Sequence, residues 1–197
     1  MKGRLLQSVR FDMQLEHAFR PIETRPGIVV DVRGCRSDFL GVARANGTFR
    51  LVSTKRIVSG TTLFKIEGER TLRPTRYSVQ IGDGLHVDLD CAHDEAEVFD
   101  RFFWRFMNHS CNPNARFCSE EVIAARDIEP FEDVTFDYNT TEYEMAEPFD
   151  CHCGSPSCLG RIQGFKHLTA EQRRQLHPRL APYLSRLVQP GAKTDPT

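Results

Sequence analysis

Apolar and polar residues alternate in short runs along most of the first 140 positions, and turn signals close nearly every run. Gly27-Ile28-Val29-Val30-Asp31-Val32 and Thr48 to Ser53 read as strands, with Asn46-Gly47 a candidate hairpin turn ahead of the second. Ser59-Gly60 marks a turn before Thr62-Leu63-Phe64-Lys65-Ile66, and Gly82-Asp83-Gly84 separates a strand over 77–81 from one over 85–89. Val122 to Ala125 and Val134 to Phe136 add two further short strands. The spacing of Val98, Phe102 and Phe106, with Phe99 and Phe103 one step over, predicts one short helix within 94–107. The plan is mostly β with short helices.

After Gly164 the period changes. Thr169-x-x-Gln172 is a capping box that opens a helix reaching Gln175 or Leu176, and Pro178 and Pro182 interrupt or restart it. Leu176, Leu180, Leu184 and Leu187 fall on one face, so 169–188 reads as a broken amphipathic segment docked on the domain. Pro190 to Thr197 reads as a loose tail.

At 197 residues and 40% apolar, the chain suits one compact domain with short terminal additions. A net charge of −1 supplies no global basic field, which argues against a direct nucleic-acid partner. Acidic residues gather locally at Asp94, Glu95, Glu97 and Asp100, and again at Glu142, Glu144, Glu147 and Asp150. Such runs are either a solvated face or a surface that receives a cationic peptide. Leu5-Leu6 is followed at once by Gln7, Ser8 and Arg10, so no signal core develops, and no apolar stretch approaches the roughly 20 residues that span a bilayer. The expectation is a soluble intracellular protein without a membrane partner, cytoplasmic, or nuclear in a eukaryotic host.

Seven cysteines are an odd count, and Cys151-x-Cys153-x4-Cys158 crowds three of them together, which favours a metal site over a disulfide framework. A structural zinc takes four ligands, so a fourth must come from elsewhere. Spacing leaves Cys111, His152, Cys35, Cys91 and Cys118 open for that place. Asn108-His109-Ser110 before Cys111-Asn112-Pro113-Asn114 reads, taken alone, equally as an Asx-rich turn, and Tyr138 as a packed aromatic at a strand end.

Taken together, Arg105-Phe106-Met107-Asn108-His109-Ser110-Cys111-Asn112-Pro113-Asn114, then Phe136-Asp137-Tyr138, then the cysteine triplet, resemble in the same order the motifs of SET-domain protein-lysine N-methyltransferases with a cysteine-bearing post-SET segment. The resemblance implies a SET fold of several small curved sheets with a threaded, pseudoknot-like C-terminal core segment. It divides the chain into a flanking segment (1–45), a catalytic core (46–140), a post-SET zinc segment (141–165) and a C-terminal helical segment with tail (166–197). It implies S-adenosylmethionine as co-substrate, held by Asn108, His109, Arg105, Phe49, Tyr138 and Leu159. It also picks Cys111 to join Cys151, Cys153 and Cys158 around one structural zinc, closing a loop of forty residues. The remaining cysteines, Cys35, Cys91 and Cys118, are then ordinary core thiols.

The reaction implied is methyl transfer to a lysine amine of a protein or peptide, which a basic tail would suit. A lysine with a pKa of about 10.4 is almost wholly ammonium at pH 7, so the site must favour the free amine. An apolar channel and a nearby sulfonium both do so, and no strong base is required. Orientation remains, and the resemblance gives that role to the Tyr138 phenol, with Tyr77 as a second wall of the amine channel. Phe136 stands where the family carries phenylalanine or tyrosine; phenylalanine leaves room for a methylated amine and implies di- or trimethylation. Two rival readings are a SET-fold binding module without turnover and a methyltransferase acting on a non-protein amine.

Three departures stand out. Thr48-Phe49-Arg50 replaces the Gly-x-Gly that lets backbone approach the cofactor, with Gly47 available in a shifted register. Pro130-Phe131 replaces Lys-Gly in a turn, and no cysteine-rich cluster precedes the SET region.

Overall fold

The structure is a computed structural model that describes residues 19–26, 28–45, 47–89 and 93–188. It opens with an antiparallel sheet of β1 (Arg20–Arg25), β2 (Ile28–Gly34), β3 (Leu40–Ala45) and β4 (Thr48–Ser53), paired in that order. β4 has the bounds expected from its alternation, whereas β1 and β3 were not expected. In β3, Leu40 and Val42 are buried, but Gly41 breaks the pattern; a Cβ there would sit 3.0 Å from Arg33 O and from Thr54 Cγ2. The turn into β4 includes Gly47 at φ +75°, and Asn46 lies outside the described residues. Leu40, Val42 and Leu51 pack on the main core, while Val32, Ala43 and Val52 form a smaller cluster with Ile22 and Val30.

Next come β5 (Thr62–Lys65), β6 (Glu69–Thr71), β7 (Val79–Gln80) and β8 (His86–Asp88). β7 and β8 form the hairpin expected around Gly82-Asp83-Gly84, with β6 on the other side of β8. The strand expected over 77–81 starts only at Val79, which leaves Tyr77 in the preceding turn.

The helix expected over 94–107 divides into α1 (Glu95–Arg101) and a 3₁₀ turn, Phe103–Phe106. A continuous helix would bury Phe99, Phe102, Phe103 and Phe106 along one stripe and leave Trp104 off it. The break at Phe102 brings Trp104 inside as well, 2% exposed, with Nε1 donating to Glu67 O at 2.8 Å. Phe99 stacks on Phe106 with ring centroids 5.0 Å apart, and Phe49 meets both edge-on.

Beyond the 3₁₀ turn lie β9 (Asn108–His109), β10 (Ala115–Cys118), β11 (Glu121–Ala124) and β12 (Thr135–Phe136). β10, β11 and β5 make one sheet, and β9 and β12 pair in parallel. The chain leading into β12 first bridges Ile57 at Ile128 and Val52 at Asp133, then donates Val134 N to Leu51 O at 2.8 Å before reaching β9. That passage from the first sheet to the Asn108–His109 strand is the threading expected of the core. The Pro130-Phe131 turn holds Phe131 at φ +63°, a region that costs an L side chain about 1–2 kcal/mol. Its amide donates to Ser53 O at 2.9 Å, fixing the turn to β4.

A 3₁₀ turn, Tyr138–Thr140, precedes the β13 (Phe149–Asp150) and β14 (Arg161–Ile162) hairpin, and α2 (Ala170–Leu176) and α3 (Pro182–Val188) follow. The Thr169/Gln172 capping box forms as expected. Leu176, Leu180 and Leu184 are buried with Phe165 and Tyr183 in a core of their own. Leu187 is not: it is 42% exposed. The buried residues of α3 are Tyr183 and Leu184, with Val188 partly buried beside them, and Leu187 lies about 100° of rotation from Val188. Residues 190–197, read as a loose tail, lie outside the described residues. Among the described residues, no helix is long and apolar enough to cross a membrane.

Candidate functional site

Asn114 builds the frame of the site, and sequence reasoning missed it. Only 1% exposed, it donates Nδ2 to Asp133 O (2.8 Å) and Glu132 Oε1 (3.0 Å), and its Oδ1 accepts from Thr135 N at 2.9 Å. Those bonds clamp the end of the Asn108–Asn114 loop to the entry of β12. Ser110 N donates to Phe136 O at 3.0 Å and extends the parallel pairing. Asn108, at the start of β9, keeps an exposed side chain.

His109 links three parts of the site. Its Nδ1 accepts the Tyr138 amide at 3.2 Å, which assigns the proton to Nε2, 3.2 Å from Cys111 Sγ. Burial pushes the imidazole down to about 4, so it is neutral, and the 3.7 Å approach of Asp137 Oδ1 is no ion pair. Asp137 instead accepts from the backbone and side-chain amides of Asn139, each at 3.0 Å.

Tyr138 sits among Phe136 (ring centroids 4.6 Å apart), His109 (5.3 Å) and Phe149 (5.9 Å), and its hydroxyl donates to Met107 O at 2.9 Å. Burial first, then the charge of Glu142, pushes its pKa well above the ordinary tyrosine value, so the phenol stays protonated at any physiological pH. Such a group orients and polarises; it does not act as a base.

The four expected metal ligands come together. The Sγ atoms of Cys111, Cys151, Cys153 and Cys158 all lie within 4.8 Å of one another. A tetrahedron with Zn–S bonds of about 2.3 Å has edges of about 3.8 Å, so the set fits one zinc. Burial pushes the Cys111 thiol well up and Cys151 up to about 11; thiolates packed this closely call for a cation. Gly154 (φ +71°) and Gly160 (φ +72°) turn the chain around the cluster, and Leu159 N points at Cys111 Sγ from 3.5 Å.

The other candidates for the fourth ligand lie elsewhere. His152 is exposed, and Cys35 is a partly buried core thiol pushed up to about 12 by burial. Cys118 is exposed, contrary to the core-thiol expectation, because alternation along β10 turns Phe117 inward and Cys118 out. Cys91 lies outside the described residues.

Leu159 borders a cleft of about 170 Å³ shared with Asn139, Arg161, Gln163, Gly164 and His167. Asn139, one residue past the Phe-Asp-Tyr run, spans it by accepting Gly164 N at 3.1 Å. Phe49, at the middle position of the altered Gly-x-Gly, places its ring in the aromatic core, and Arg50, at its second glycine position, bonds Asp133 at 2.9 and 3.0 Å, so both side chains are committed to the fold. Arg105 sits 3.6 Å from Asp88 and 4.4 Å over the Tyr77 ring. Tyr77 is 54% exposed.

The acidic runs do not form one face. Asp94 caps α1, Glu97 pairs with His93 and Arg101, and Asp100 with Arg33. Glu144 pairs with Lys166 and His167, and Asp150 with Arg161. Glu142 is buried: Oε1 accepts Gln80 N at 2.8 Å, and Oε2 lies 3.8 Å from His86 Nε2. Tyr183 of α3 closes this polar group, its hydroxyl 2.8 Å from Gln80 O and 2.5 Å from Thr141 O.

Residues 48–139 match the family model of the SET domain. It is 36% identical over 102 residues to the methyltransferase flvH of Aspergillus flavus, a match covering 50% of this chain and 51% of that one. Over 68 residues it is 43% identical to the histone-lysine N-methyltransferase, H3 lysine-36 specific, of Aspergillus oryzae, covering 30% of this chain and 7% of that protein. Among solved structures, KRYPTONITE in complex with mCHG DNA and SAH is similar over 60% of this chain and 27% of its own, at 23% identity and a TM-score of 0.43. The chain thus spans about half the length of the first relative and a small fraction of the second.

Proposed function

We propose that this protein is a protein-lysine N-methyltransferase that uses S-adenosylmethionine and carries one structural zinc on Cys111, Cys151, Cys153 and Cys158. The observation that carries the reading is the protonated Tyr138 phenol, fixed on Met107 O and joined through its amide to His109. Working units follow the boundaries 1–45, 46–140, 141–165 and 166–197.

Asn108, with its exposed polar side chain, and His109, Tyr138, Leu159, Arg105 and Phe49 would hold the cofactor. When bound, S-adenosylmethionine supplies an electrophilic methyl carbon on a sulfonium. The protein then has to aim a neutral amine, and the Tyr138 oxygen and the Met107 carbonyl are fixed polar groups for that task. Tyr77 is read as the outer wall of the amine channel.

The test is labelled methyl transfer in a cell lysate, with Tyr138→Phe as control and mass spectrometry of the labelled band. Loss of one preorganised polar group typically costs about 10²–10³ in rate, so Tyr138→Phe should fall by that factor while calorimetry shows cofactor binding retained. Wild-type protein that neither binds S-adenosylmethionine nor labels any protein would overturn the reading.

Phe136 is 3% exposed and packs on Phe117 and Tyr138, both 4.6 Å away between centroids. Phenylalanine places no hydroxyl beside the Tyr138 ring, and we read the product as di- or trimethyl-lysine. Intact mass after a saturated reaction should show two or three methyl groups, and Phe136→Tyr should shift the product toward one; a single methyl from the wild type excludes it.

A further inference from the structure

We propose that the arginine-rich loop joining β6 to β7 selects an acidic partner, a protein segment in which aspartate or glutamate flanks the lysine. The inference deepens the methyltransferase reading and rests on it for the lysine, while the recognition surface stands on its own geometry. The loop exposes two large apolar side chains, Leu72 at 76% and Tyr77 at 54%. Around them lie three guanidinium groups. Arg105 covers the Tyr77 ring at 4.4 Å and Arg76 approaches the same ring at 5.7 Å. Arg73 is exposed and, among the described residues, has no acidic partner.

Arg105 is held in a largely buried pair with Asp88 at 3.6 Å, side chains 17% and 20% exposed, so the charges the loop presents outward are Arg73 and Arg76. Glu147 reaches Arg76 only at 3.7 Å, with side chains 66% and 61% exposed, a pair that water and salt screen. The surface is also preformed. Thr75 Oγ1 accepts the amides of Tyr77 (3.1 Å) and Ser78 (3.2 Å), and Ser78 Oγ accepts Thr75 N at 2.9 Å, so binding need not order the loop.

The loop flanks the segment that leaves Tyr138. Gln80, just past it, bonds Glu142 at 2.8 Å and Tyr143 N at 2.7 Å, and Arg76 faces Glu147 further along. A segment lying along the loop meets arginine, leucine and tyrosine, which suits carboxylates and apolar side chains; on the facing segment Glu144 is already paired with Lys166 and His167, and Glu147 with Arg76. Nucleic acid is the weaker reading, because three arginines in a chain of net charge −1 give a short basic patch.

The test is fluorescence anisotropy on the full chain with peptides that share one lysine and one leucine and differ only in four flanking glutamates or four flanking arginines, beside a labelled DNA duplex. The glutamate peptide should bind at least about tenfold more tightly than the arginine peptide, weaken with salt, and lose its advantage in Arg73→Glu/Arg76→Glu. Arg73→Gln/Arg76→Gln should give an intermediate loss, and thermal melts confirm folding of both variants. Equal or tighter binding of the arginine peptide, tighter binding of the duplex, or an unchanged preference in the variants overturns the proposal. Acid preference without any methyl transfer would retain the recognition surface and reject the methyltransferase reading.

Discussion

Stripping zinc from the purified protein is expected to release the segment around β13 and β14 while the sheets of β1–β4 and β10–β11–β5 stay folded. The hairpin has only two paired positions, Phe149 with Ile162 and Asp150 with Arg161, and its buried neighbours are chiefly the thiols, Ile162 and the ring of Phe149. So small an apolar contact cannot order some twenty residues, since each costs about 1–2 kcal/mol of backbone entropy. A zinc bound by four thiolates contributes on the order of 10–16 kcal/mol in peptides and can. Elemental analysis should find about one zinc per chain, and a strong chelator should raise hydrogen exchange across 149–162. Cys153→Ser and Cys111→Ser should both lose the metal. They differ at the Tyr138 amide, because only Cys111 Sγ also faces His109 Nε2 at 3.2 Å, and His109 Nδ1 holds that amide. Faster exchange at Tyr138 is therefore expected to be larger in Cys111→Ser. Protein that contains no zinc and resists chelation with unchanged exchange would exclude the metal centre.

The residues that carry this chemistry were legible in the chain because each is a polar or sulfur-bearing type at fixed spacing. The three late cysteines stood out by spacing alone, whereas the runs around Asn108 and Phe136 to Tyr138 stood out by the order in which they resemble SET-domain motifs. What joins them was not legible. Asn114 reads as a turn residue, yet its amide serves Asp133 and Thr135 some twenty positions away. Spacing alone left the fourth ligand open, since nothing local distinguishes Cys111 from Cys35 or Cys118; the family resemblance picked it, and the threaded pairing of β9 with β12 is what carries it to the other three thiols.

β1 and β3 are among the strands that escaped notice for a similar reason. β1 is an edge strand rich in charge, and β3 is Leu-Gly-Val-Ala-Arg-Ala, whose glycine answers the close approach of Arg33 O. The acidic runs misled in the opposite direction. Counted along the chain they make an anionic face, but caps and local bases take up most of the carboxylates, and one of them lies inside the protein.

That buried carboxylate, Glu142, is expected to make the protein more stable below neutral pH than its surface charges would, and Glu142→Gln should abolish the effect. Burial lifts the carboxyl to about 7, against an ordinary value of 4.5; the hydrogen bonds from Gln80 and Thr141 only partly offset it. Between those values the unfolded chain has lost the proton and the folded chain still holds it. Stability from this group therefore falls as pH rises from 4.5 to about 7 and is level above. The full difference is on the order of 3 kcal/mol. His86, whose ring nitrogens are buried without hydrogen-bond partners, works in the opposite sense. Burial lowers its affinity for protons, so its contribution rises with pH up to its ordinary value of 6.5 and partly masks the carboxyl.

Glutamine keeps an acceptor for Gln80 N and has no proton to lose. Urea titrations should therefore find Glu142→Gln close to wild type at pH 5 and more stable by up to about 3 kcal/mol at pH 8. The gain should extend to α3, because Tyr183 docks on the carbonyls of Gln80 and Thr141 that border this carboxylate. Slower exchange in α3 at pH 8, absent at pH 5, is the matching local signal. A stability difference of equal size at both pH values would mean that Glu142 is ionised throughout, and that the charge near Tyr138 is permanent rather than titrated.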